Sequence, residues 1–335
     1  MMGACVPAGP RALLQSVMDE PRGRLEEAFL EGRFAVTTDI TRPESSDSEV
    51  VRHKAEALRD WVDAVNLTDN TNASARMSSW AASLVVMGAG VEPVLSLQCR
   101  GRSRLALQAD LLGAGAARIP NVLLLTGDEV GQADHQAPKA VVGPGSAQLV
   151  GMAAALRDEA RLLSGNLMTT PPTWLVGVVE NPFVPPTEFC VRRLSKKVAA
   201  GAEFVQTQLV FDLDLFEGFM EEVTAMGLTE HCAVLAGVGP IRSRRALENM
   251  RQRVAGVVVP DDVMRRLESQ PDWRFEEEGI DLCAVTIERL RSIPGVAGVH
   301  VMADGFEEDV PELLGRAGLA PREGRGLAAH SLGPC

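Results

Sequence analysis

Apolar runs of strand length recur along the chain, each followed by a stretch with helical spacing or by a polar loop. The runs cover 34–39 (FAVTTD), 63–68 (DAVNLT), 93–99 (PVLSLQC), 121–125 (NVLLL), 174–180 (WLVGVVE), 203–210 (EFVQTQLV), 232–238 (CAVLAGV) and 297–302 (AGVHVM). Most are apolar at both parities, which suits parallel strands covered on two faces rather than strands with one wet face. Helices are predicted over 49–61, 76–89, 103–118, 147–163 and 188–200. Ahead of the first run, 11–31 reads as a helix broken near Pro21, with Leu25, Phe29 and Leu30 on a stripe that would cover one end of the core.

The runs start at 34, 63, 93, 121, 174, 203, 232 and 297, so five of the seven intervals measure 28 to 30 residues and the other two 53 and 65. Repeated βα units with two enlarged ones predict an α/β fold, a (β/α)8 TIM barrel with an N-terminal helix and two insertions. The insertions are the loop 129–146 and extra helices around 242–290. The expected division is an N-terminal helical extension over 1–32, a catalytic barrel over 33–320 and a flexible tail over 321–335. A doubly wound sheet is the rival, but no G-x-G-x-x-G follows the first strand to hold a dinucleotide.

Charge narrows the function classes. Lys and Arg total 33 against 45 Asp and Glu, a net charge of −12, which argues against nucleic acid or an anionic membrane as partner and suits small-molecule chemistry. Six cysteines without a C-x-x-C fit reduced thiols and a cytoplasmic protein. No run approaches the roughly 18 apolar residues of a membrane span, and no export signal is read at the N-terminus. The five histidines make no H-E-x-x-H, and neither G-x-S-x-G nor G-x-x-x-x-G-K-[ST] occurs, so no metal, nucleophile elbow or P-loop is expected.

In a barrel the C-terminal ends of the strands converge on one mouth. That would gather Asp39, Thr68, Ser96 or Cys99, Asp128, Asn181, Gln208 and Gly239. Two carboxylates and a carboxamide suit a ring with several N–H donors and leave one acid for proton transfer. The plainer alternatives are that Asp128 caps or turns the chain, that Thr68 and Asn181 form loops, and that Gln208 is a satisfied strand residue.

The blocks FAVTTDITRP, DAVNLTDN, EPVLSLQCRGRSRLALQADLLGAGAARIPNVLLLTGD, ENPFVPP and KKVAAGAEFVQTQLVFD resemble the methylenetetrahydrofolate reductase family, in particular its short bacterial members that consist of the catalytic barrel. The resemblance runs from about residue 33 to about 320. It implies reduction of 5,10-methylenetetrahydrofolate to 5-methyltetrahydrofolate with hydride from NADH or NADPH, passed through a bound flavin, FAD ahead of FMN, or directly to the folate as in members without flavin. By the same resemblance Asp39 stands where the family has a glutamate acting as general acid, and Asp128 where an acid favours the iminium form of the substrate. Gln208 matches a pterin-contacting glutamine, and Thr68, Asn181 and Lys197 match cofactor contacts. The departures lie on the flavin side: Ser96 replaces a histidine, Thr126 an arginine, Asn181 a tyrosine, and Cys190 and Arg193 an aspartate and an asparagine. Arg193 with Lys197 on an FMN phosphate is one way such a flavin would be held. A partner subunit and a homo-oligomer are further expectations. A pterin-dependent methyltransferase barrel and a non-catalytic folate- or flavin-binding subunit are the alternatives.

Overall fold

The apolar runs become the eight parallel strands of a closed barrel, paired in chain order, in a computed structural model that describes residues 21–69, 74–127, 145–253, 256–303 and 305–322. The strands are β1 (Ala35–Asp39), β2 (Ala64–Leu67), β3 (Pro93–Gln98), β4 (Asn121–Leu125), β5 (Leu175–Glu180), β6 (Phe204–Leu209), β7 (Ala233–Val238) and β8 (Val296–Val301). β8 closes on β1, with Gly298 opposite Ala35 and His300 opposite Thr37. Alternate residues sort into two cores. Val36, Val65, Leu97, Leu124, Val178 and Val205 pack outward against the helices. Ala35, Ala64, Val94, Leu123, Leu175, Phe204 and Leu235 fill the lower interior. Phe204 reaches across that interior into the space beside Gly177, where a Cβ would lie 2.1 Å from its ring.

Helix α1 (Arg24–Leu30) plugs the lower end, adding Leu25 and Ala28 to the interior cluster. Its start is fixed from within the barrel. The fully buried Glu92 accepts the backbone N–H groups of Arg24 and Leu25, and Asn121 Nδ2 donates to the same carboxylate at 2.7 Å. Helix N-termini favour a negative group, yet burial dominates here and pushes the Glu92 carboxyl up to about 7.

The outer helices follow from local capping. Asp47 caps α2 (Ser48–Leu58), Ser78 caps α3 (Ser79–Gly88) and Ser103 caps α4 (Arg104–Ala116), each through its side-chain oxygen. The Ser78 cap starts α3 three residues later than the predicted 76. α5 (Ser146–Asp158) stops short of the predicted 163, because an irregular connection bridged by Arg161 and Leu167 follows it. That connection also lengthens the β4–β5 interval, alongside the expected 129–146 loop, of which residues 128–144 lie outside the described ones. α6 (Thr187–Ala199) agrees with expectation, whereas α7 (Leu213–Ala225), buried through Phe216, Phe219, Met220 and Val223, was not among the predicted helices.

The second insertion is helical as expected: α8 (Arg244–Arg253), α9 (Asp261–Glu268) and α10 (Asp272–Leu290) precede β8. Ile241, Leu247, Leu267 and Phe275 give this insertion its own small core, while α10 also joins the main core through Cys283, Ile287 and Leu290. α11 (Val310–Arg316) ends the helices. Among the described residues no helix is long and apolar enough to cross a membrane.

Candidate active site

Moving up the barrel from the apolar lower interior, the inward positions turn polar two residues further along the strands. Thr37 on β1, Asn66 on β2, Gln206 on β6 and His300 on β8 are all buried. They bond to one another. Asn66 Nδ2 donates to Gln206 Oε1 at 2.7 Å while Gln206 Nε2 donates to Asn66 Oδ1 at 3.1 Å and reaches Thr37 Oγ1 at 3.3 Å. Thr37 Oγ1 lies 2.9 Å from His300 Nδ1. Asp39, the next inward residue on β1, stands above this layer, with Oδ1 3.4 Å from His300 Nε2. The approach is within ion-pair range but is not aligned as a hydrogen bond, and the buried Oδ1 has no hydrogen-bond partner among the described residues.

The mouth above is half-open. Thr68, Gln98, Leu125, Asn181 and Gln208 are partly buried there, and Val179, the last inward residue on β5, is 37% exposed. A bulge between Gln206 and Leu209 displaces the end of β6, and Gln208 Oε1 accepts the Leu209 N–H at 2.9 Å. Bulges of this kind re-aim side chains beside sites. Gly127 takes a left-handed φ of +89°, and a Cβ there would lie 2.2 Å from Gln98 Oε1. Only glycine lets the chain pass this close after β4. Asp128, which follows it, lies outside the described residues. Asp69 ties β2 to β3 by accepting the Gln98 N–H at 3.1 Å and pairing with Arg102 at 3.0 Å; burial raises its carboxyl. Among the described residues no cluster of His, Cys, Asp and Glu could hold a metal ion.

A closed eight-stranded barrel with an acid and carboxamides at its mouth is compatible with several chemistries, and comparison with known proteins narrows them. The family description "Methylenetetrahydrofolate reductase" matches residues 24–318, nearly the whole described chain. The chain belongs to the methylenetetrahydrofolate reductase family. A probable methylenetetrahydrofolate reductase (NADPH) of Caenorhabditis elegans is 26% identical over 133 residues, 39% of this chain and 20% of that protein. Methylenetetrahydrofolate reductase 1 of Schizosaccharomyces pombe is 27% identical over 131 residues, 38% of this chain and 21% of that protein. The matched stretch spans about a fifth of those curated relatives. Among solved structures, an uncharacterized protein from Clostridium thermocellum that binds two copies of 5-methyl-5,6,7,8-tetrahydrofolic acid has a TM-score of 0.63 at 12% identity, covering 86% of this chain and 97% of that one. At that identity the likeness is one of fold.

The residues proposed for a reductase-family site divide by strand parity. Asp39, Thr68 and Gln208 stand at the mouth, and Ser96 is buried in the interior. Asn181 stands there too, but as a turn former: its Oδ1 accepts the Phe183 N–H at 3.0 Å, and its amide packs against Gly256 of the β7–β8 insertion. Thr126 is exposed and shares the parity of Val122 and Leu124, which face the helices.

Arg193 and Lys197, expected as a flavin-phosphate pair, both meet a carboxylate of the chain itself. Glu180 has the outward parity of Val176 and Val178, so its carboxylate lies behind the sheet against α6. There it is buried, holds Lys197 at 2.9 Å and pairs with Arg193. Lys197 Nζ also donates to Val179 O at 2.6 Å. The two cations share one buried carboxylate, which offsets one of their two charges and turns both toward the back of the sheet. The residues that sequence reasoning missed are Thr37, Asn66, Gln206 and His300. Their signal was available: each is polar on a strand that must be buried, and Thr37, Asn66 and Gln206 stand two residues before Asp39, Thr68 and Gln208.

Proposed function

We propose that this barrel reduces 5,10-methylenetetrahydrofolate to 5-methyltetrahydrofolate with hydride from NADH or NADPH. The observation that carries the reading is Asp39 at the mouth of a barrel of the methylenetetrahydrofolate reductase family, partly exposed upward and carrying one buried, unpartnered oxygen. Asp39 in its acid form gives its proton to N10 of the folate as the bond from the bridging carbon to N10 breaks, the electron pair of that bond going to nitrogen. The cationic N5=CH2 iminium that results accepts hydride at carbon and becomes the N5-methyl group, while the nicotinamide is oxidised. Asp128 follows β4 and is assigned to the iminium, where a fixed carboxylate near developing positive charge contributes a few kcal/mol. Gln208 and Thr68 are assigned to the pterin ring. The aspartate is one methylene shorter than the family's glutamate, so the folate must sit lower, over the polar layer, or meet the acid through a water.

The hydride passes to the folate directly or through a bound flavin, FAD ahead of FMN; Glu180, which pairs with Arg193 and Lys197, argues only against those two as the flavin's phosphate contacts. A methyltransferase barrel would use the same acids without oxidising NADH or NADPH, and a binding subunit would bind folate without turnover. The test is oxidation of NADH or NADPH dependent on methylenetetrahydrofolate, with the absorbance spectrum of the purified protein recorded alongside. Folate-dependent oxidation is expected, with flavin absorbance marking the relay and its absence marking direct transfer; folate binding with no oxidation of either nucleotide would remove the reductase reading.

A further inference from the structure

Resting on that reading, we propose that His300 is the positioning residue of Asp39, held as its Nε2–H tautomer by Thr37 and presenting that proton to the buried oxygen of the acid. The assignment follows from counting donors. Gln206 Nε2 reaches Thr37 Oγ1 at 3.3 Å as a donor, so the threonine oxygen already has one proton directed at it. Its own hydroxyl proton is then free for His300 Nδ1, 2.9 Å away, which makes Nδ1 an acceptor and leaves the ring proton on Nε2. The competing donor to Nε2 is the second amide proton of Asn66 Nδ2, the first being given to Gln206 Oε1 at 2.7 Å; at 3.5 Å its contact with Nε2 lies at the outer limit of a hydrogen bond, against 2.9 Å for the Thr37 contact with Nδ1.

Nε2–H faces Asp39 Oδ1 at 3.4 Å. No other donor among the described residues reaches this oxygen, which is buried without a hydrogen-bond partner. An unsatisfied buried carboxylate oxygen costs free energy, and turning the carboxyl slightly toward the ring recovers it. The His300 side chain is 4% exposed against 22% for Asp39, so the ring is the fixed member and the acid the one that adjusts. With the inner oxygen held, the outer one is left to carry the exchangeable proton toward the mouth. The carboxamide pair, Thr37 and His300 thus form a chain of oriented groups ending on the acid, and none of them but Asp39 touches the folate.

Two measurements test this. In 15N spectra of protein labelled on its histidine rings, the resonance lost in His300→Gln should show a protonated Nε2 and an unprotonated Nδ1, and Thr37→Val should shift that pattern; a ring protonated on Nδ1 alone would overturn the proposal. In turnover, His300→Leu should lower kcat by about 10-fold or more with the folate KM within about twofold, and His300→Gln, which keeps an amide donor, should recover most of it. Within Asp39→Asn, His300→Leu should cost nothing further, because its effect passes through the acid; losses that multiply would contradict positioning. Should the wild-type protein not reduce methylenetetrahydrofolate, the reading of function fails on its own, and the ring spectra, with their response to Asp39→Asn, still decide the positioning claim.

Discussion

The lower and upper halves of the barrel interior are built from the same strands and differ by a step of two residues. Below, Ala35, Ala64, Leu175 and Phe204 meet the α1 plug in an apolar cluster, beside which Glu92 and Asn121 tie the plug down. Above, the same strands present Thr37 and Asp39, Asn66, Val179, and Gln206 and Gln208. The lower layer gains stability from burial, while the upper one spends burial on groups that hold each other in orientation. That division is the one a barrel permits, since the N-terminal end can be closed without obstructing the loops at the other.

The comparison breaks first if the lower layer carries chemistry. Phe204→Ala removes the largest side chain of that interior and should destabilise by about 3–5 kcal/mol in urea titrations, with kcat of the folded fraction unchanged. A catalytic loss beyond the folding loss would show that the halves are not separable.

Glu92 sharpens the contrast through pH. Its carboxyl, pushed from the ordinary 4.5 to about 7, binds a proton in the folded chain over a range where the unfolded chain has released it. The stability it contributes is therefore fully present below pH 4.5 and is lost as pH rises through about 7, a change of up to about 3 kcal/mol. Glu92→Gln should flatten that slope in denaturation curves taken from pH 5 to 8, and an identical slope in both proteins would refute the assignment.

In the upper layer the signs reverse. Asp39→Asn should lower kcat by roughly 10²-fold or more while altering stability by less than about 1 kcal/mol, because Asp39 is partly exposed and its contact with His300 is a long one of 3.4 Å. The smallest effect belongs to Gln208→Leu: a rise in the folate KM of about 10-fold with kcat retained, read from initial rates. A fall in kcat with KM unchanged would move Gln208 from substrate holding to chemistry.

Much of this was legible in the chain itself. The strands fall within a residue of the apolar runs, because a strand buried on both faces leaves a signature that turns and helices do not imitate. The places of Asp39 and Gln208 at the mouth were legible for the same reason, as polar ends of apolar runs. What escaped were facts of pairing. Glu180 ends an apolar run and Arg193 and Lys197 read as ligand-facing cations, yet the parity of Val176 and Val178 puts the Glu180 carboxylate behind the sheet, where both cations pair with it. His300 was judged only as a metal ligand, and its partner Thr37 lies at the other end of the chain, joined to it where β8 closes on β1. No local pattern reports a contact made by barrel closure. The helix Leu213–Ala225 carries its own apolar stripe, Phe216, Phe219, Met220 and Val223, at helical spacing.

The most direct test of the central claim follows the hydride itself. Methylenetetrahydrofolate is incubated with NADH or NADPH deuterated at the transferred position of C4, and the methyl group of the product is examined by mass spectrometry for the wild-type protein and Asp39→Asn. A singly deuterated methyl group, formed by the wild type and at least about 10²-fold more slowly by the variant, is the predicted result. Product formed equally fast by the variant, or no methyltetrahydrofolate at all, would contradict it.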